Sequence, residues 1–355
     1  MATVAQGVGR LTTPAIDLHS HLFLSAWLRL ARSEGERLQT SFYRRPDGRE
    51  FVRAPGDFDY PLGEELWSLG TLDATLAGRG LSAAALSVAP PTLSYWAEPG
   101  LGAEVARALN EDLRSAVRSR PDRYVALCTV PLQDAARAVR ELEWAVRQPE
   151  FHGVMVGSNV GGRNLDDPGL WAFWEAAAAL DACVFVHPYD VAGRERMQRY
   201  YLWNLVGMVT ETALAITSLI FGGVYARLPA LRTYFAHGGG TYPWLRGRAD
   251  HGFRVLEHVS FATDAPPASF RDRIYVDNLC FLPEALGFLA AELGCDHIAV
   301  GSDYPFDMGP RDPTAIVRTA PGLSGADQEA ILWRTAATLL RLDPAWVRAG
   351  VEAPA

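Results

Sequence analysis

Ile16-Asp17-Leu18-His19-Ser20-His21 is a short apolar run that closes on a His-x-His pair. Residues i and i+2 of a strand point to the same side. A strand over Ala15–His19 therefore presents His19 and His21 together at its end. Alone the pair says little, because two solvated histidines at a polar strand end read the same way. The pattern returns further along the chain. Cys183-Val184-Phe185-Val186-His187-Pro188 puts a histidine after an apolar run, and Tyr234-Phe235-Ala236-His237-Gly238-Gly239-Gly240 puts one at the equivalent point. Ile298-Ala299-Val300-Gly301-Ser302-Asp303-Tyr304-Pro305 ends in an aspartate instead.

These runs belong to a longer alternation. Candidate strands lie at Ala15–His19, Ala83–Val88, Tyr124–Val130, Gly153–Val156, Cys183–His187, Leu231–Ala236, Ile274–Val276 and His297–Gly301. Between them fall helical patterns at Leu101–Arg118, Ala135–Val146, Leu170–Ala179, Thr210–Ile220, Pro283–Leu293 and Gln328–Arg341. In the first of these, Val105, Leu109, Leu113 and Val117 recur at the spacing of an amphipathic helix. Strands each followed by a helix point to parallel βαβ units, and about eight of them close into a (β/α)8 barrel of the TIM type. The expected architecture is thus α/β: one barrel domain over residues 1–355, with an inserted segment or lid at about 24–70. That insertion is too long for an ordinary βα loop and is rich in aromatics, Arg, Gly and Pro. A second loop, 263–268, precedes the seventh strand.

Composition narrows the chemistry. The formal charge of −8 over 355 residues disfavours nucleic acid and anionic membranes as partners. No apolar run approaches the ~20 residues that span a bilayer, and the N-terminus lacks the basic start and apolar stretch of a signal peptide, so the expected location is cytoplasmic. Cys128, Cys183, Cys280 and Cys295 are far apart and form no C-x-x-C pair, which reads as free thiols. All 33 basic residues are arginine. Without lysine there is no carbamylated bridge between two metals, no Schiff base and no pyridoxal attachment.

His19, His21, His187, His237 and Asp303 all fall at strand ends, on the face where a barrel carries its chemistry. Imidazole and carboxylate donors suit zinc and leave positions open for water or substrate. The remaining histidines read as structural: His152 opens a strand, His251 and His258 follow the glycine run on a helix, and His297 begins the eighth strand.

At this point the chain resembles the metal-dependent decarboxylases of the amidohydrolase superfamily, most of all the aminocarboxymuconate-semialdehyde decarboxylases. The resemblance runs from about residue 15 to 340. It includes Ser94-Tyr95-Trp96, Leu205-Val206-Gly207-Met208 with Glu211-Thr212, the stretch from His237 to Gly252, and Gly301-Ser302-Asp303-Tyr304-Pro305-Phe306. It implies one Zn2+ per subunit, or another divalent metal, on His19, His21, His187 and Asp303, with His237 as catalytic acid or base beside it. It also implies a homodimer in which Arg248 reaches across to clamp a substrate carboxylate. Arginine suits that role because its fork matches two oxygens and keeps its charge when desolvated.

A second family clamp is an arginine just after a phenylalanine in the insertion. Here Phe51-Val52-Arg53 displaces it by one residue, making Arg53 the candidate and Arg44, Arg45 and Arg49 its rivals. Tyr189 and Tyr201 stand where the family usually has tryptophan, and both are candidate substrate contacts. The resemblance implies a carboxy-lyase: a zinc-dependent, non-oxidative decarboxylase of a carboxylated muconate semialdehyde or similar conjugated acid. The routes open to it are addition of hydroxide to the substrate and direct chelation of the substrate by the metal. Three alternatives remain at this stage: a decarboxylase of a hydroxylated aromatic acid, a mononuclear zinc hydrolase or hydratase, and a non-catalytic binding protein.

Overall fold

The computed structural model describes residues 13–352, apart from 56, 57, 63–65 and 67. The N-terminal stretch read above for a leader lies mostly outside them. Eight parallel strands form one sheet in chain order. They are β1 (Ile16–Leu22), β2 (Ala83–Val88), β3 (Tyr124–Thr129), β4 (Phe151–Gly157), β5 (Cys183–His187), β6 (Arg232–Phe235), β7 (Ile274–Asp277) and β8 (Ile298–Ala299). Bridges from Asp17 to Val300 and from Ser20 to Tyr304 bring the last strand back to the first. Leu18 N donates to Val300 O at 2.8 Å and His21 N to Tyr304 O at 2.7 Å. The expected barrel is the observed one.

The strands are buried along almost their whole length, which is why they read as apolar runs rather than alternating ones. Phe185 and Tyr234 pack with ring centres 5.0 Å apart inside the barrel, and Phe185 lies 4.9 Å from the His19 ring. Aromatic packing therefore forms the floor beneath the strand-end histidines.

Helices cover the outside: α1 (Ser25–Ser33), α2 (Pro99–Ser119), α3 (Ala135–Ala145), α4 (Trp171–Ala179), α5 (Val209–Phe221), α6 (Tyr242–Val255), α7 (Pro283–Leu293) and α8 (Thr335–Leu340). In α2 the Glu98 carboxylate accepts from Gly100 N and Leu101 N, Pro99 opens the first turn, and the predicted stripe from Val105 to Val117 is buried.

Four expectations need correcting. β1 continues through Leu22 rather than ending at His19, because the polar Ser20 and His21 pair with β2 and Leu22 follows them. The helix expected over Gln328–Arg341 starts earlier, at Gly325, ends at Leu340 and is not α-helical throughout: a wide π turn at Ala330–Arg334 lies between its α-helical ends. His258 lies in a turn beyond the end of α6, not on it. Finally, a π-helical turn at Trp203–Met208 runs into α5, making a 19-residue apolar stretch, Trp203–Phe221, of mean hydropathy 1.5. It is longer than any apolar run expected from sequence. Its Ala215, Ile216, Leu219 and Ile220 are buried against the barrel, as in the covering helix of a core.

Between β1 and β2 the chain forms α1 and then a three-stranded antiparallel sheet, Ser41–Arg44, Glu50–Ala54 and Phe58–Pro61. A helix at Leu69–Leu76 leads back to β2.

Candidate metal centre and its cavity

The ends of β1, β5 and β6 and the segment after β8 bring His19, His21, His187, His237 and Asp303 together. Nε2 of His19 and Nε2 of His21 are 3.0 Å apart. Asp303 Oδ1 sits 3.3 Å from the first and 3.5 Å from the second, and Asp303 Oδ2 is 3.5 Å from His237 Nε2. The ligand-capable atoms of His19, His187, His237 and Asp303 all lie within 4.8 Å of one another. His21 stands outside that foursome, but its Nε2 faces His19 Nε2 and Asp303 Oδ1.

Each ring on β1 and β5 is oriented by its outer nitrogen. His19 Nδ1 is 2.7 Å from Asp277 Oδ2. His21 Nδ1 is 2.8 Å from Ser87 Oγ and 3.0 Å from Val88 O. Since Ser87 Oγ donates to Ser20 O at 2.9 Å, it accepts from His21. His187 Nδ1 donates to Pro188 O at 2.8 Å. Outer nitrogens fixed as donors leave Nε2 lone pairs facing inward, the tautomer a metal ligand needs. His187 Nε2 and Asp303 Oδ1 are buried with no hydrogen-bond partner. Orphaned buried acceptors are costly, and here they converge on the same point as the other two imidazoles. The donor set fits one divalent cation.

Asp277 was missed at the sequence level because the expected seventh strand stopped at Val276, one residue short of it. Its side chain is fully buried. Oδ2 takes His19 Nδ1 and also accepts from His237 N at 2.7 Å, while Oδ1 accepts from Gly238 N at 2.7 Å and Leu279 N at 2.9 Å. One carboxylate thus orients His19 and pins the turn bearing His237. A second, Asp17, accepts from Ser302 N at 3.0 Å and from Ser302 Oγ, which holds the start of the Asp303 segment against β1. The only signals for either were acids at barrel strands.

Backbone conformation marks the same residues. His237 and Asp303 sit at φ +57° and +51°, and Tyr201 at +58°. Left-handed non-glycine residues carry strain that the surroundings must hold. Gly301 is needed for a different reason: a Cβ there would lie 2.8 Å from His19 Cβ and 2.9 Å from Asp277 Cβ.

The electrostatics follow from burial and pairing. Burial pushes His19 down, but contacts to Asp277 and Asp303 outweigh it and raise its pKa to about 10. For His21, burial and the charge on His19 outweigh the pull of Asp303 and lower it to about 4. His187 is held well below its ordinary value by burial, with His21 and His19 adding to the effect. Burial alone would raise Asp303, yet its approach to His19, His21 and His237 holds it well below the usual carboxylate range. Asp277 is lowered in the same way, chiefly by His19. Ionised Asp303 beside the neutral imidazoles of His21 and His187 offers donors to a cation, which would take the place of the proton that Asp277 and Asp303 favour on His19.

Two cavities open on this cluster. The larger, about 400 Å³, is walled by Tyr60, Tyr189, Tyr201, Phe306, Arg49 and Arg194, with His187, His237 and Asp303 at its base. The other, about 360 Å³, is walled mainly by apolar groups, including Leu205, Val209, Phe281 and the stacked pair Trp244 and Phe288, and also reaches His237 and Asp303.

Of the expected substrate residues, Tyr189 and Tyr201 face the first cavity. Tyr189 packs edge-on to Tyr95 with ring centres 5.4 Å apart. Arg53 does not line the cavity. Its side chain is 59 % exposed, its guanidinium is 3.2 Å from Asp59 and lies over the Tyr43 ring, so strand pairing turns it outward. Its rival Arg49 does line the cavity, as does Arg194, which sequence reading passed over because it lies in a loop. Arg248 is on the exposed side of α6, and this chain alone does not bring it to the cluster. His152 and His297 bond to Leu340 O and Ile274 O, away from the cluster. Cys128, Cys183, Cys280 and Cys295 are all free thiols.

Comparison with known proteins identifies the family. A family model described as amidohydrolase matches residues 16–342. The chain is 34 % identical to the 2-amino-3-carboxymuconate-6-semialdehyde decarboxylase of Dictyostelium discoideum, over 93 % of this chain and 92 % of that protein. It is 32 % identical to the protein of the same name from Caenorhabditis elegans, over 73 % of this chain and 77 % of that one. Among solved structures, 5-carboxyvanillate decarboxylase from Sphingomonas paucimobilis superposes with a TM-score of 0.79 at 22 % identity, covering 94 % of this chain and 100 % of that one. The chain belongs to the amidohydrolase family, among its carboxy-lyases.

Proposed function

We propose that this protein is a zinc-dependent, non-oxidative decarboxylase of a carboxylated muconate semialdehyde or a closely related conjugated acid. The observation that carries the reading is the buried cluster of three oriented imidazoles and one carboxylate at the base of an aromatic-walled cavity. His19, His21, His187 and Asp303 would hold the metal, which supplies Lewis-acid activation of water or of a substrate oxygen at neutral pH. Zinc suits nitrogen-rich sets of this kind, and another divalent ion can fill the same donors.

Loss of carbon dioxide leaves an electron pair that a conjugated system must accept, and the carbon must then take a proton. His237 is the group for that transfer, acting at Nε2 on the cavity side while Asp277 fixes its backbone. Tyr189 and Tyr201 wall a planar substrate. The insertion after β1 serves as a lid, contributing Arg49, Tyr60 and Leu66 to the cavity.

Arg248 would complete the site from the partner subunit of a homodimer. Exposed apolar side chains near it and around the second cavity, among them Leu205, Val206, Trp244 and Leu245, favour a covered surface. Subunits carrying Arg248→Ala, mixed with subunits carrying Asp303→Asn, should regain activity that neither has alone. A mixture that stays inactive contradicts the shared site.

The same cavity suits the planar ring of a hydroxylated aromatic acid, the second reading, favoured by the aromatic character of its walls. Metal-loaded protein offered both substrate classes should release carbon dioxide from the conjugated semialdehyde. Chelation should abolish release, and stoichiometric zinc should restore it. Release from the aromatic acid alone would select the second reading, and ester or amide hydrolysis without carbon dioxide would overturn both.

A further inference from the structure

The three histidines on β1 and β5 are not secured in the same way. His19 is tied to a side-chain carboxylate, and His21 to Ser87 Oγ as well as Val88 O. His187 Nδ1 is tied at 2.8 Å to Pro188 O, the carbonyl of the next residue in the chain. That carbonyl shares a rigid planar peptide unit with Tyr189 N. Proline fixes its own φ but leaves ψ free. The plane can therefore swing about the Cα–C bond of Pro188 and take the imidazole with it. Whatever holds Tyr189 N also holds His187.

Ser158 does so from just past the end of β4. Its N–H donates to His187 O at 2.9 Å, and its Oγ accepts from Tyr189 N at 3.0 Å. The two bonds bracket Pro188 from either side. The hydroxyl proton faces two acceptors, Tyr189 O at 3.2 Å and Glu211 Oε1 at 3.3 Å. Glu211 stands behind the serine on α5. Its Oε1 also accepts from Asn159 Nδ2 at 2.9 Å, and its Oε2 accepts from Ala192 N at 3.0 Å. Asn159 Nδ2 donates in turn to Asp190 O at 3.2 Å, where the backbone is left-handed at φ +43°. Ser158, Asn159 and Glu211 are all buried. A buried carboxylate is costly unless donors surround it, and a non-glycine residue at positive φ must be kept there by its surroundings. The segment after His187 is thus held in a strained course by this network.

We infer that Ser158, backed by Glu211, is a positioning residue for the metal ligand His187: it fixes the Pro188–Tyr189 peptide and, through it, the direction of the His187 Nε2 lone pair. The inference rests on the metal-centre reading, and its test reads metal binding rather than turnover. Zn2+ would be titrated against a competing chelator into metal-free wild type, Ser158→Ala, Glu211→Gln and, as a matched control, Ser82→Ala. Ser82 is another buried barrel serine, whose Oγ makes the same pair of bonds to Ala15 N and Ala15 O at the opposite end of β1 from His21. Visible absorption of the Co2+-loaded proteins reports ligand geometry, and denaturant titration of the metal-free forms reports the fold.

Ser158→Ala should bind Zn2+ roughly tenfold more weakly than wild type, the scale of losing an outer partner of a metal ligand, and should shift the Co2+ bands. Glu211→Gln keeps the size but turns one acceptor into an N–H facing a donor, so it should weaken binding in the same direction by less. Ser82→Ala should match wild type in both readings, whatever it does to the denaturation midpoint. If Ser158→Ala folds poorly, Glu211→Gln carries the same test. Unchanged affinity and unchanged Co2+ bands in both variants overturn the inference, as does an equal loss of affinity in Ser82→Ala. Failure of the metal-centre reading looks different: wild type itself takes up no Zn2+, which removes that reading and this inference together.

Discussion

The metal cluster and the wall of the cavity in front of it are built by different means. In the cluster, His19, His21, His187 and Asp277 belong to barrel strands, are buried, and have their outer atoms tied to carboxylates, a serine or backbone carbonyls. The wall is assembled from an inserted antiparallel sheet and from the loop after β5, and Arg49, Tyr201 and Arg194 all keep some exposure. Fold-building contacts position the first region, so its geometry survives wherever the barrel forms. Contacts of the inserted sheet and of a loop position the second, so it is the part free to vary.

The sharpest way to break the cluster is to remove a ligand. His187→Ala should leave almost no bound metal and background activity in a protein that still folds, as read by metal analysis and circular dichroism. Asp277→Asn acts one step out, loosening both His19 and the His237 turn, and metal affinity should fall roughly 10–100-fold in a competition assay against a chelator. Gly301→Ala wedges a methyl between His19 and Asp277 and should cost about 1–3 kcal/mol of stability in denaturant titration. At the wall the effects shrink. Arg53→Ala breaks an exposed pair with Asp59 and should leave the denaturation midpoint almost unchanged and KM unaltered. A large rise in KM would return Arg53 to the cavity and blur the distinction between the two regions.

The same distinction explains what could be read in the residues alone. All eight strands were legible because parallel strands buried on both faces read as apolar runs, and histidines at their ends stand out against that background. Asp277 ends just such a run, in Ile274-Tyr275-Val276-Asp277, but a lone acid at a strand end reads equally as a loop residue until His19 is seen against it. The π turns at Ala330–Arg334 and Trp203–Met208 carry no proline or other local signal, and tertiary packing decides them. Arg53 and Arg194 show the limit most clearly. Antiparallel pairing with Asp59 turns the first away, and a distant glutamate on α5 steers the loop of the second, neither of which local sequence encodes.

The division of labour between His237 and the four proposed ligands is the central claim, because His237 lies close enough to the others to be taken for a ligand itself. Metal content and carbon dioxide release of purified His237→Ala test it together. The account predicts about one divalent metal per chain, as in wild type, with release reduced to background. A His237→Ala protein that has lost its metal, or one that keeps both metal and full activity, contradicts it.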